Sequence, residues 1–166
     1  YAMTGWRLGY IGAPLWIAKA CDKIQGQYTS ATCSITQRAA IAALEGDVET
    51  TLTMKAAFLR RRDLVFQMMQ NIKGLKFNNP QGAFYFFPDV SNYFGKTYNG
   101  NTINNADDMA MYLLNEGNLS DVTGSAFGDQ NCIRFSYATS DDKLVEAMKR
   151  LKIALEKLIT QEIPVS

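Results

Sequence analysis

Asn131-Cys-Ile-Arg-Phe-Ser-Tyr-Ala-Thr-Ser140 is the stretch that decides the predicted fold, because it joins a strand pattern to a helix start. Apolar side chains at Ile133 and Phe135 alternate with more polar neighbours, which is typical of a half-buried β-strand over residues 132–137. Ser140 is a preferred N-cap residue for a helix. That helix is amphipathic, and its predicted buried stripe consists of Leu144, Met148, Leu151, Leu155 and Leu158.

The segments before this strand alternate between helical and strand patterns. A long stretch with helical periodicity ends at Gly74, and runs of aromatic and β-favouring residues predict short strands. The predicted elements are helices over residues 48–71 and 106–115, strands over residues 75–77, 82–87 and 119–123, and a loop over residues 90–105. This order predicts an α+β fold in which helices cover a small sheet.

The first 47 residues have a different organisation. Residues 6–11 are predicted to form a short strand. Pro14 suits the first position of a helix to about residue 26, because the N–H that proline lacks is unpaired there in any case. Residues 25–33 are predicted to be a polar linker, and Ser34 to be the N-cap of a second helix through residue 44.

The composition excludes several classes of partner. Of the 166 residues, 47% are hydrophobic and 20% are charged, as in soluble globular proteins that bury a core. The net charge of +1 gives no electrostatic reason to expect nucleic acid or an anionic membrane as a partner. No apolar run approaches the roughly 18 residues of a membrane-spanning helix. The one basic cluster, Arg60 to Arg62, is predicted to lie on a solvated helix face.

Cysteine and histidine usage excludes further kinds of site. The three cysteines, Cys21, Cys33 and Cys132, lack the C-x-x-C spacing of a zinc site, and the chain contains no histidine. We therefore expect no metal site, no Cys-His pair and no Ser-His-Asp triad. Free buried thiols in a reducing compartment are the simplest interpretation, which predicts a cytoplasmic protein.

Two arginines are candidates for binding an anion. Arg7 stands between Gly5 and Gly9, which would let a bulky anion approach the backbone, and its rigid fork of donors matches phosphate oxygens. Arg134 interrupts an apolar strand pattern. It lies either on the polar face of that strand or in a cleft, where it could grip a carboxylate with two N–H groups. From the pattern alone, an ordinary surface position stays open for both.

Four motifs, in order along the chain, resemble those of the class I aminotransferases, which use pyridoxal phosphate (PLP). Tyr1-Ala-Met-Thr-Gly-Trp-Arg-Leu-Gly-Tyr10 resembles the family segment Lys-x-Tyr/Phe-Ala-Met-Thr-Gly-Trp-Arg-x-Gly, which begins at the cofactor lysine. Pro80-Gln-Gly-Ala-Phe-Tyr-Phe-Phe-Pro88 resembles the family's Pro-x-Gly-Ala-Phe-Tyr strand. Val122-Thr-Gly-Ser-Ala-Phe-Gly128 resembles its Val-Pro-Gly-x-x-Phe-Gly loop, with Thr123 in place of proline. The stretch from Ile133 resembles its Ile-Arg-x-Ser-Tyr-Ala-Thr-Ser motif, and bacterial aspartate aminotransferases are the most similar branch.

The resemblance implies a role for each candidate residue. Arg7 would bind the phosphate of PLP, and Arg134 would clamp the α-carboxylate of the substrate. Phe84 would line the substrate entrance. The catalytic lysine of the family would lie two residues before Tyr1, so the chain as printed is expected to be an inactive C-terminal fragment of a larger enzyme.

The resemblance also implies a domain organisation and an activity. Residues 1–47 would be the tail of a large PLP-binding domain, and residues 48–166 a small C-terminal domain that includes the interdomain helix. The parent would be a homodimer that moves an amino group between an L-amino acid, most simply aspartate, and a 2-oxo acid. Two alternatives stay open: a PLP lyase on the same scaffold, and a non-catalytic interaction domain that keeps the small-domain fold.

Overall fold

The computed structural model describes residues 1–160, with side chains described as far as Leu158. The α-helices are α1 (Leu15–Tyr28), α2 (Ser34–Glu45), α3 (Glu49–Gln70), α4 (Ala106–Gly117) and α5 (Asp141–Thr160). The strands are β1 (Tyr85–Phe86), β2 (Thr97–Tyr98), β3 (Asn101–Thr102), β4 (Val122–Thr123) and β5 (Ile133–Ser136), and 3-10 helices cover Thr4–Trp6, Ser91–Tyr93 and Gly124–Phe127. The chain divides within α3, between Met54 and Lys55, into two compact units.

The second unit contains a three-stranded antiparallel sheet with β5 in the centre. β1 and β4 flank it in the order β1-β5-β4. Phe86 of β1 pairs with Phe135, and Thr123 of β4 pairs with Ile133. β2 and β3 form a separate two-stranded hairpin. Helices around a small antiparallel sheet confirm the predicted α+β fold.

The core of the second unit lies between this sheet and the helices. The predicted stripe of α5 is confirmed, since each of its residues is no more than 4% exposed: Leu144, Met148, Leu151, Leu155 and Leu158. Ile133 and Phe135 of β5 are buried on the inner face of the sheet. The hydroxyl of Tyr112 on α4 donates to the carbonyl of Ala154 on α5 at 2.8 Å. A buried Tyr therefore keeps its polar atom paired while its ring joins the core.

The predicted helix boundaries are close to those observed. Asn105 caps α4 by accepting a hydrogen bond from the backbone N–H of Asp108, as expected for an Asx residue at the N-cap. α4 runs two residues past its predicted end, and Asn118 stops it in the left-handed conformation that Asn adopts more readily than most residues. α1 begins directly after Pro14 and extends to Tyr28, so the predicted polar linker is shorter than expected.

The predicted strand over residues 6–11 is wrong. Thr4–Trp6 forms a 3-10 helix and residues 7–14 have no regular secondary structure. A strand needs a neighbouring strand to pair its backbone groups, and no strand is described in residues 1–54. Thr36 is the only buried residue of that unit, which leaves large apolar side chains such as Trp16 and Tyr28 exposed.

The remaining strand predictions were too long. In the region of residues 75–77, only Lys76 makes a bridge, to Asp89. The strand expected over residues 82–87 is reduced to Tyr85–Phe86, because Ala83 adopts a left-handed backbone (φ 57°) that an extended strand does not allow. The loop expected over residues 90–105 contains the β2–β3 hairpin.

The cysteines and the arginine cluster differ from expectation. Cys132 is buried, and burial raises its pKa to about 11, but Cys21 and Cys33 are exposed. Arg60 and Arg61 both form ion pairs with Asp141 at the start of α5, while Arg62 pairs with Asp63 and is partly buried. The cluster therefore ties α3 to α5 as well as facing solvent.

Within residues 1–160, no helix is both long enough and apolar enough to cross a membrane. In the same residues, no three histidine, cysteine or acidic side chains are grouped so as to hold a metal ion.

Asp121 is a buried carboxylate whose two oxygens have no hydrogen-bond partner among the described residues. Burial raises its pKa from 3.8 to about 6. The folded state therefore binds more protons than the unfolded state between these values, so the free energy of unfolding falls as the pH rises through that window. We expect Asp121→Asn to remove this fall and to stabilise the chain by up to about 3 kcal/mol at neutral pH, with no gain in acid.

Urea unfolding at several pH values, followed by circular dichroism, measures this effect. Asp22→Asn, which removes an exposed carboxylate on α1, is the matched control. The prediction is contradicted if the free energy of unfolding changes with pH in the same way for the wild type and for Asp121→Asn.

Candidate functional site

Arg134 lies on the outer face of the central strand. Successive side chains of a strand point to opposite faces, so burial of Ile133 and Phe135 leaves Arg134 on the face away from the core, where it is half-buried. Its guanidinium carbon lies 4.3 Å from the ring centroid of Tyr85 and 4.1 Å from that of Phe127. The guanidinium is therefore stacked against two aromatic rings.

The sheet register and one short turn bring these rings to Arg134. Tyr85 pairs with Ser136, which places it diagonally opposite Arg134 on the same face of the sheet. Phe127 ends the 3-10 helix that follows β4. Its ring also meets the ring of Phe87 edge-on, with centroids 6.3 Å apart. Each stacking contact of this kind is worth about 0.5–2 kcal/mol, depending on how far the cation is desolvated.

The charge of Arg134 is not neutralised by a neighbour. No carboxylate among the described side chains forms an ion pair with it, in contrast to Arg60 and Arg61. A guanidinium has five N–H donors, and its planar fork matches a carboxylate in a two-pronged contact. The two rings orient the guanidinium of Arg134, and its N–H groups could bind the carboxylate of a ligand.

Phe84 lies beside this site and contacts the core. Its ring packs 6.0 Å from that of Phe58 on α3 and 4.4 Å from that of Tyr85. Its carbonyl accepts a hydrogen bond from the backbone N–H of Tyr137 at 2.9 Å. Phe84 thus supports Tyr85, which in turn contacts Arg134.

Sequence reasoning missed Tyr85 and Phe127 as neighbours of Arg134. Both stand inside the motifs quoted above, but their roles depend on strand pairing. Antiparallel pairing of residues 82–87 with β5 would have suggested Tyr85. No sequence pattern predicts the turn that brings Phe127 over the guanidinium.

Arg7 belongs to the first unit and is exposed. It follows the 3-10 helix in a left-handed conformation (φ 53°), and its Nη1 donates to the carbonyl of Thr4 at 3.0 Å. A Cβ placed on Gly5 or Gly9 would meet nothing within 4 Å, so the backbone on both sides of Arg7 is open. An exposed guanidinium beside accessible backbone has the chemistry to bind a phosphate group.

Residues 1–151 match the family model for aminotransferases of class I and II, and the chain belongs to this family. It is 46% identical over 159 residues to the bifunctional aspartate aminotransferase and glutamate/aspartate-prephenate aminotransferase of Petunia hybrida, covering 93% of this chain and 33% of that protein. It is 46% identical over 153 residues to the aspartate/prephenate aminotransferase of Cereibacter sphaeroides, and this match covers 92% of the chain and 38% of that protein.

A solved structure gives the same result for the fold. The crystal structure of the aspartate aminotransferase from Rhizobium meliloti is 42% identical and superimposes with a TM-score of 0.84, covering 95% of this chain and 40% of that one. The chain thus spans between about a third and two fifths of the length of these three proteins.

Proposed function

We propose that this chain is the C-terminal part of a PLP-dependent aminotransferase that moves an amino group between an L-amino acid, aspartate first, and a 2-oxo acid. The observation that carries the proposal is Arg134, an oriented guanidinium without an ionic partner among the described residues. Every amino-acid and 2-oxo-acid substrate presents an α-carboxylate to such a group. Family membership and the names of the relatives support aminotransfer and aspartate.

The two units suggest the domain assignment. We assign residues 1–47 to the tail of a large PLP-binding domain and residues 48–166 to the small domain. Two features support this: the compact units divide nearby, between Met54 and Lys55, and the first unit has an almost entirely exposed apolar surface. Such a surface is typical of a segment that packs on a larger body.

Each candidate residue has a proposed part in the reaction. Arg7 would hold the phosphate of PLP, Arg134 would orient the substrate carboxylate, and Phe84, which contacts Tyr85, would line the substrate entrance. When bound, PLP supplies the electron sink that amino transfer requires. Fixing the carboxylate in one orientation reduces the entropy lost in reaching the reactive geometry. We propose that the parent works as a cytoplasmic homodimer.

The full-length parent tests the proposal directly. We expect it to bind PLP and to convert aspartate with 2-oxoglutarate into oxaloacetate and equal amounts of glutamate. Release of ammonia or of a β-substituent without any need for a 2-oxo acid would instead indicate a lyase. Absence of both PLP binding and turnover would indicate a non-catalytic domain.

A further inference from the structure

The turn that carries Phe127 is tied to the first turn of α4 by three polar side chains, which we name the Asp107 clasp: Asp107, Thr123 and Ser125. The hydroxyls of Thr123 and Ser125 both donate to Oδ1 of Asp107, Ser125 at 2.8 Å. The two hydroxyl oxygens lie 2.9 Å apart. These two hydrogen bonds hold the pKa of Asp107 below its usual value, because they stabilise the charged carboxylate that accepts them.

The clasp and the aromatic contact lie at the two ends of one short turn. Thr123 caps the 3-10 helix Gly124–Phe127 by accepting a hydrogen bond from the N–H of Ser125. Phe127, the last residue of that helix, covers the guanidinium of Arg134. In between, the N–H of Gly124 donates to the carbonyl of Cys132 at 2.7 Å. A Cβ on Gly124 would lie 2.3 Å from that carbonyl oxygen, so the turn sits directly against the chain entering β5.

The outer side of the turn faces solvent, whereas its backbone is held against the chain entering β5. The side chains of Ser125 and Phe127 are exposed, and Phe127 retains 48% of its accessible surface. About half of its ring is therefore open to solvent, and the covered half contacts Arg134 and Phe87. The side-chain hydrogen bonds to Asp107 join this turn to α4, which is itself anchored in the core through Met109 and Leu113.

We propose that Asp107 is a positioning residue for substrate binding: through Thr123 and Ser125 it holds Phe127 against Arg134, so that the guanidinium presents its donors in one orientation. The inference rests on the proposed function, since it concerns the same carboxylate site. Asp107 itself does not touch the substrate. The aminotransferase motif that this loop resembles has proline at the position of Thr123. In this chain, a hydroxyl that binds Asp107 stands in place of the rigid proline ring.

The test uses the full-length, cofactor-loaded parent with Asp107→Ala and Thr123→Val. Thr123→Val keeps the side-chain shape and removes only the hydroxyl, so it serves if Asp107→Ala folds poorly. We expect each to raise KM for aspartate and Kd for maleate, a C4 dicarboxylate probe, by about tenfold, with kcat changed less than KM. Asp108→Ala is the matched control, because Asp108 lies in the same helical turn but binds Asn104 rather than the turn with Phe127.

A second measurement separates positioning from general stability. If Asp107 acts through Arg134, Asp107→Ala should have little further effect on KM in an Arg134→Lys background, because the effects of coupled residues are not additive. Equal KM values for Asp107→Ala and Asp108→Ala, or full additivity with Arg134→Lys, would overturn the inference. A wild-type parent without amino transfer would overturn the proposed function and this inference with it. If the parent is active and depends on Arg134, but Asp107→Ala leaves KM for aspartate unchanged, the positioning role of Asp107 is wrong and the proposed function stands.

Discussion

Replacing Arg134 by lysine in the full-length parent is expected to lower kcat/KM by about 10- to 150-fold, equivalent to roughly 1.5–3 kcal/mol of lost transition-state stabilisation. Lysine keeps the positive charge but has no planar fork, so the two-pronged contact with a carboxylate is lost. It also stacks less well than a guanidinium between the rings of Tyr85 and Phe127. The loss should appear with every amino-acid substrate, because all of them share the α-carboxylate.

Steady-state kinetics with several amino acids, together with maleate inhibition, would measure this loss. Arg150→Lys is the matched control, because Arg150 lies on the exposed side of α5 and pairs with Glu146. Unchanged kinetics for Arg134→Lys would mean that Arg134 is an ordinary surface residue of the strand and would remove the main support for the proposed site.

The second large effect concerns the 166-residue chain by itself, which we expect to show no turnover of aspartate with 2-oxoglutarate. PLP enzymes of this family need a lysine amine to hold the cofactor and to move a proton. The family pattern puts that lysine two positions before Tyr1, and the printed sequence has none there. Its other lysines, such as Lys19, Lys55 and Lys143, lie on α1, α3 and α5.

Mixing the purified chain with PLP, recording the absorption spectrum and assaying amino transfer would test this expectation. The full-length parent, treated identically, is the positive control. A cofactor band at one equivalent per chain, together with measurable turnover, would show that one of the printed lysines serves as the cofactor lysine.

Helices were easier to predict than strands for a physical reason. The stripe of α5 is a local pattern, because residues three and four apart meet on one helix face whatever the rest of the chain does. A strand is defined by its partner. Residues 6–11 have a strand-like composition but no described strand beside them, and residues 82–87 are cut short by the left-handed backbone of Ala83.

The candidate site shows the same limit. Arg134 became a candidate because a charged residue interrupts an apolar alternation, which is visible in the sequence itself, but its role came from the resemblance to the aminotransferase motif. Its neighbour Tyr85 lies far away along the chain and is brought to it by strand register. Phe127 is close in sequence but reaches the guanidinium only through the turn after β4. The Asp107 clasp depends on hydrogen bonds between α4 and that turn, which no local pattern encodes.

The alternation of β5 places a constraint on insertions and deletions. One face of this strand belongs to the core and the other carries Arg134. A change of one residue within Ile133–Ser136 that shifted its pairing with β1 and β4 by one position would turn both faces over. The guanidinium would then enter an apolar interior, where an unpaired charge costs several kcal/mol, and the ring of Phe135 would face outward. The register of β5 is therefore as important to the site as the identity of the arginine, and a gene-library design should exclude insertions and deletions within this strand.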